Sequence, residues 1–166
     1  MKTLYDWKVK LIIVRGLPGS GKSSLAKSLV ADPYQIVEND HYWLLHDGTN
    51  YKYEKELQEM AGWWCWSEAF RRFRTYNLVV VSNVFVHRHI ILGYLEPAKR
   101  LGINVEIMEP NTPWAKNPVE CHKRCQNGAP LEFIERMAKN WSEVSQDEVN
   151  AFLSGTDEDF IMRHPK

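Results

Sequence analysis

The chain has 166 residues, enough for one domain with a sizeable core. Its 21 Lys and Arg balance 21 Asp and Glu, so no global field draws it to nucleic acid or membrane, and no apolar run reaches the length of a membrane span. Three cysteines argue against a disulfide framework and Met1–Trp7 lacks a signal-peptide apolar region, so the expectation is a cytoplasmic protein in a reducing compartment.

The first predicted strand is Lys10 to Val14, an apolar run that reads as buried. A glycine-rich loop follows, and then a helix from Gly21 to Val30, which ends before Pro33. Gln35 to Val37 is a short second strand, closed by Glu38-Asn39-Asp40-His41, and His46 to Asn50 is a turn cluster. Tyr53 to Arg74 carries apolar residues at helical spacing, with Arg71, Arg72 and Arg74 at the negative end of the helix dipole. Leu78 to Ser82 is a β-branched run expected to be buried on both faces. Ile90 to Leu101 reads as a helix interrupted at Pro97 and closed by Gly102, followed by a fourth strand over Ile103 to Met108. Beyond the loop Glu109–Pro113 lie predicted helices near Val119–Cys125, Pro130–Trp141 and Asp147–Leu153, with a frayed end. Strands alternating with helices predict an α/β fold, a three-layer sandwich around a parallel sheet. The expected division is a P-loop domain over 1–145, with a lid near 114–130, and a C-terminal extension over 146–166.

The loop between the first strand and helix is Gly16-Leu17-Pro18-Gly19-Ser20-Gly21-Lys22-Ser23, with Ser24 beside it. Its strand–loop–helix setting makes it a phosphate-binding P-loop. Glycines let successive backbone N–H groups turn inward on phosphate oxygens, and the helix N-terminus adds positive potential. Lys22 reaches the β- and γ-phosphates, and the Ser23 hydroxyl is the candidate Mg²⁺ ligand. The expected ligands are therefore ATP and Mg²⁺.

Ligands of parallel α/β sheets bind at the carboxyl ends of the strands, where Asp40 sits after the second strand. A carboxylate there can take the proton of an attacking hydroxyl; an Asx cap is the alternative reading. Ser82-Asn83 ends the third strand where many P-loop enzymes carry a metal-supporting acid, and Asn83 supplies no charge. Arg88, between His87 and His89, falls on the same edge and can contact substrate or phosphate, unless it belongs to an exposed loop cluster. The basic segment Val119–Gly128 reads as a lid in which Lys123 or Arg124 stabilises a transferring phosphoryl group, or else as a solvated helix face. Cys121, His122 and Cys125 lack a second ligand pair at zinc-site spacing.

In order along the chain, these pieces resemble the polynucleotide kinase family of P-loop kinases, including the phage-type 5′-hydroxyl kinase domain. The similarity runs from Lys10 to Trp141. It rests on the P-loop, on Asn39-Asp40-His41-Tyr42, on Tyr51-Lys52-Tyr53-Glu54-Lys55 at a substrate-side helix, and on Ser82-Asn83. It continues through Pro113-Trp114, Lys123-Arg124 and Gly128-Ala129-Pro130 of a lid and a closing helix from Pro130 to Met137. The resemblance implies that Asp40 is the catalytic base, that Arg124 is the lid arginine, and that the acceptor is a nucleic acid, DNA before RNA. Two departures stand out. Asn83 replaces an aspartate, and Trp43 replaces an arginine three residues beyond the base, which suits stacking on a nucleobase. Relatives in phages with hypermodified DNA phosphorylate a hydroxymethyl group on a pyrimidine, an acceptor the same parts would serve. A small-molecule or nucleoside kinase and a non-catalytic nucleotide-binding module are the competing readings. The sequence leaves the oligomeric state open.

Overall fold

A computed structural model describes residues 9–46, 54–156 and 160. Four short strands pair in parallel in the order β2-β3-β1-β4, with β1, β2 and β3 largely buried and the edge strand β4 only partly so. β1 (Lys10–Arg15) lies between β3 (Leu78–Asn83) and β4 (Asn104–Met108), with Ile12 opposite both Val80 and Glu106. β2 is only Ile36–Val37, on the outer edge of β3. Alternation along β1 separates two cores. Ile12 and Val14 meet Ala26 of α1 (Lys22–Ser28), while Leu11 and Ile13 join the core beneath α3 (Gln58–Arg72) and α4 (Arg88–Leu101). The three-layer expectation is met.

The sequence predicts no helix after β2, yet α2 spans Asn39–His46. Its first N–H is capped from elsewhere: Asn39 N donates to Asn83 Oδ1 at the end of β3, 2.8 Å away. Such a cap leaves no local signal. The predicted long helix is also shorter, since a 3₁₀ turn at Lys55–Leu57 precedes α3; the turn cluster after His46 and Tyr51–Tyr53 lie outside the described residues.

Pro97 does not break α4. A proline there withholds the bond that the Gly93 carbonyl would accept, and the Trp66 indole N–H supplies it at 2.9 Å. Gly102 ends α4 at φ 69°, the left-handed cap expected of glycine.

The C-terminal third forms α5 (Pro118–Arg124), α6 (Leu131–Lys139) and α7 (Gln146–Leu153). α5 and α6 enclose a small core of their own, with Cys121, Ile134, Trp114 and Trp141 packed around Leu17 of the P-loop. α7 packs on α4 and β4, and Val149, Phe152 and Phe160 belong to the main core. α7 and Phe160 are thus part of the body.

Candidate active site

The P-loop turns sharply from β1 into α1. Gly19 and Gly21 hold φ of 78° and 105°, a region that side chains resist. Gly19 also has no room for a side chain: a Cβ there would stand 2.0 Å from the Cys121 carbonyl oxygen of α5. The start of α5 and the segment before it therefore rest directly on the loop. Two hydrogen bonds fasten that segment: Trp114 Nε1 donates to the Gly19 carbonyl at 3.1 Å, and Thr112 Oγ1 donates to the Ser20 carbonyl at 2.8 Å.

Lys22 folds back and donates to the Leu17 carbonyl at 3.0 Å. Burial lowers its pKa, while Glu38 and Asp40 act in the opposite direction, with the Cys125 and Cys121 thiols also near. The two carboxylates at the end of β2 thus share the electrostatic environment of the P-loop lysine. Glu38 responds in kind. Burial and the Asp40 charge raise its pKa, and Lys22 works against them. Neighbouring His41 is held below the usual histidine value by burial and by Arg72.

The loop fits a nucleotide's phosphates. Lys22 is at hand, Ser23 and Ser24 are exposed in the first turn of α1, and the Ser20 hydroxyl is buried with no hydrogen-bond partner among the described residues. Among those residues no group of three or more His, Cys, Asp or Glu could hold a metal ion. Cys121 Sγ donates to the Trp114 carbonyl, His122 Nδ1 meets the Ala129 carbonyl, and Cys125 Sγ donates to Asn127 Oδ1.

Trp43, Arg88 and Asn83 are each engaged within the fold. Trp43 is 3% exposed and packs edge-on against Tyr42 at 5.4 Å, so its ring is not offered to a base. Helical phase decides this, because α2 turns Trp43 inward. Arg88 is equally buried. Its guanidinium donates to the Phe160 and Glu143 carbonyls and to Glu148 Oε1, and lies over the Phe160 ring. It joins α4 to α7, and among the described residues its hydrogen bonds go to Glu143, Glu148 and Phe160. Asn83 faces inward too, with Oδ1 accepting from Asn39 and Nδ2 donating to Cys65 Sγ at 3.5 Å.

Arg124 ends α5 close to the P-loop. Its Nη1 bonds Glu120 Oε2 at 2.7 Å, and the guanidinium stacks 4.2 Å over the Trp114 ring. Sequence reading missed Glu38, although its place beside Asp40 was a usable signal. It also missed Arg15, a charge in an apolar strand. Arg15 is fully buried and bonds the Ser142 and Phe85 carbonyls at 2.8 and 2.6 Å, 4.0 Å from the Trp141 ring. Burial lowers its pKa to about 10.

Comparison with known proteins agrees with this geometry. Human NEDD4-binding protein 2 is 29% identical over 143 residues, 84% of this chain and 8% of that protein. The 2′,3′-cyclic-nucleotide 3′-phosphodiesterase of Pongo abelii is 27% identical over 165 residues, 96% of this chain and 34% of that protein. The chain spans about a third or less of the length of these curated relatives. Among solved structures, a chain of the Pnkp1/Rnl/Hen1 RNA repair complex superposes with a TM-score of 0.57 at 15% identity, covering 94% of this chain and 46% of that one. A gluconokinase from Sinorhizobium meliloti 1021 gives 0.54 at 17% identity, covering 92% and 90%. The family model of the AAA domain (AAA_33) matches residues 11–147. With a P-loop between β1 and α1 of a parallel sheet and a match over most of its length, the chain belongs to this AAA domain family and carries a P-loop kinase-like α/β fold.

Proposed function

We propose that the chain is an ATP-dependent kinase that transfers the γ-phosphoryl group to a hydroxyl of a nucleic acid. The observation that carries this reading is the convergence of Lys22, Glu38 and Asp40, which brings a donor-binding lysine and two carboxylates to one sheet edge. In this mechanism the P-loop amides and Lys22 hold the triphosphate, and Ser23 would hold Mg²⁺, which would supply neutralisation of phosphate charge. Asp40 takes the proton of the acceptor hydroxyl as its oxygen bonds the γ-phosphorus. The bond to the bridging oxygen breaks and ADP leaves. Glu38, whose pKa is raised by burial and by the Asp40 charge, flanks Asp40 and faces Lys22. Arg124 exchanges the Glu120 carboxylate for the transferring group.

The nucleic-acid acceptor is supported by the names of the relatives, which include a cyclic-nucleotide phosphodiesterase and an RNA repair complex. A 5′-hydroxyl and a 5-hydroxymethyl group on a pyrimidine both suit an oxygen nucleophile activated by Asp40. A small-molecule acceptor is the second reading, because the likeness to a gluconokinase covers 90% of that chain. Labelled ATP incubated with 5′-hydroxyl DNA and RNA, hydroxymethylpyrimidine DNA, nucleosides and gluconate separates these readings, with mass spectrometry locating the phosphate. Transfer to an oligonucleotide is expected, abolished by Asp40→Asn with ATP affinity nearly unchanged. Transfer to small acceptors alone, or unchanged transfer by Asp40→Asn, overturns the proposal.

A further inference from the structure

The amide of Asn83 is tied at both ends. Its Oδ1 accepts the N–H of Asn39, the residue before Asp40, at 2.8 Å, and its Nδ2 donates to Cys65 Sγ on α3 at 3.5 Å. Cys65 in turn packs in the main core with Tyr94 on α4. Both Cys65 and Tyr94 are buried. Burial pushes the Cys65 thiol up to about 11, so it remains a neutral partner. One chain of polar contacts therefore runs from α3 through the tip of β3 to the first turn of α2.

We infer that Asn83 is a positioning residue that fixes the first turn of α2, and so Asp40, through the Asn39 N–H, with Cys65 fixing the amide itself. The inference rests on the kinase reading for its consequence in turnover, but not for its structural content. A helix start is held by whichever acceptor meets its orphan N–H groups, and Asn39 is met from β3, 44 residues away. Asparagine suits the position for a second reason. It accepts on one side and donates on the other, and it adds no third carboxylate beside Glu38 and Asp40.

The test uses the whole chain and three variants, Asn83→Ala, Cys65→Ala and Cys65→Ser. Three quantities are read: amide exchange at Asn39, ATP affinity, and the single-turnover rate of transfer to a 5′-hydroxyl oligonucleotide. Asn83→Ala is expected to speed exchange at Asn39 about tenfold, the effect of losing a helix cap, and to slow transfer about tenfold or more with ATP affinity within about twofold. Cys65→Ala changes both in the same direction by less, and Cys65→Ser, which restores an acceptor, returns them toward wild type. The double variant Asn83→Ala/Cys65→Ala is no worse than Asn83→Ala. Unchanged exchange at Asn39 in Asn83→Ala overturns the inference, as does loss of ATP affinity in step with transfer. If Asn83→Ala does not fold, the two Cys65 variants decide by the same exchange measurement. A wild-type chain that binds ATP and phosphorylates no acceptor defeats the kinase reading, while exchange at Asn39 still decides the role of Asn83.

Discussion

Gly19 shows how one position carries two demands. Its φ of 78° asks for glycine on backbone grounds, and the Cys121 carbonyl, 2.0 Å from where a Cβ would sit, asks for it on steric grounds. The second demand comes from α5. In Gly19→Ala the left-handed strain alone costs on the order of 1 kcal/mol. The clash must further push α5 off the loop and break the Trp114 bond to the Gly19 carbonyl. The expected result is an ATP affinity at least about tenfold weaker, together with faster proteolysis between Thr112 and Pro130; equilibrium binding and timed trypsin digestion check it. An unchanged digestion pattern would show that α5 does not bear on the loop.

At the scale of elements, α3 is held to β2 by a charge cluster rather than by apolar packing alone. Arg72 is buried, bonds the Tyr34 and Ile36 carbonyls at 2.7 and 2.8 Å, and meets Glu68 at 3.0 Å. Arg71 also donates to Glu68, and these bonds hold its carboxyl near 2, below the ordinary 4.5. A carboxyl depressed by folding stabilises the native state fully above its unfolded pKa and loses that contribution as pH falls through the folded value. Glu68→Gln should therefore lower Tm by several degrees at pH 7, with the difference from wild type shrinking between pH 4.5 and 2. Thermal unfolding across that range checks it; a constant difference contradicts it. Glu38 has the opposite sign. Its raised pKa means that its contribution is present below pH 4.5 and fades as pH rises past its folded value.

The same scale explains what could be read in advance. The P-loop, the parallel α/β order and the position of Asp40 follow from contiguous residues, and each was legible. α2 was not, because the group that starts it lies on β3. Trp43 and Arg88 are named correctly by any reading of the sequence, but their direction depends on which side of a helix faces the sheet. Burial, unlike motif, is decided by partners far along the chain. The survival of α4 through Pro97 depends likewise on Trp66, one helix away.

Across the whole molecule, Arg88 closes the fold. Its bonds to Phe160, Glu143 and Glu148 hold α7 against α4, and Phe160 covers its guanidinium at 4.5 Å. Arg88→Met removes the charge and leaves Glu148 and two carbonyls without their donor, at a cost of about 3 kcal/mol. Tm should fall sharply, and hydrogen exchange in α7 should rise more than in β1 or β3. ATP binding measured well below the new Tm should persist, because the Arg88 hydrogen bonds go to Glu143, Glu148 and Phe160. Uniform exchange across all helices would instead assign Arg88 to global stability alone.

Leu17 belongs at once to the phosphate-binding loop and to the core of α5 and α6. The loop is therefore not an interchangeable cassette. Transplanting another protein's Gly-x-x-Gly-x-Gly-Lys segment would preserve every phosphate-facing amide and still mismatch Cys121 and Ile134, so any graft must carry its own hydrophobic counterpart in α5 and α6. Selection at residue 17 is then set by neighbours more than a hundred residues downstream, and an exchange there is tolerated only when Cys121 or Ile134 changes to compensate.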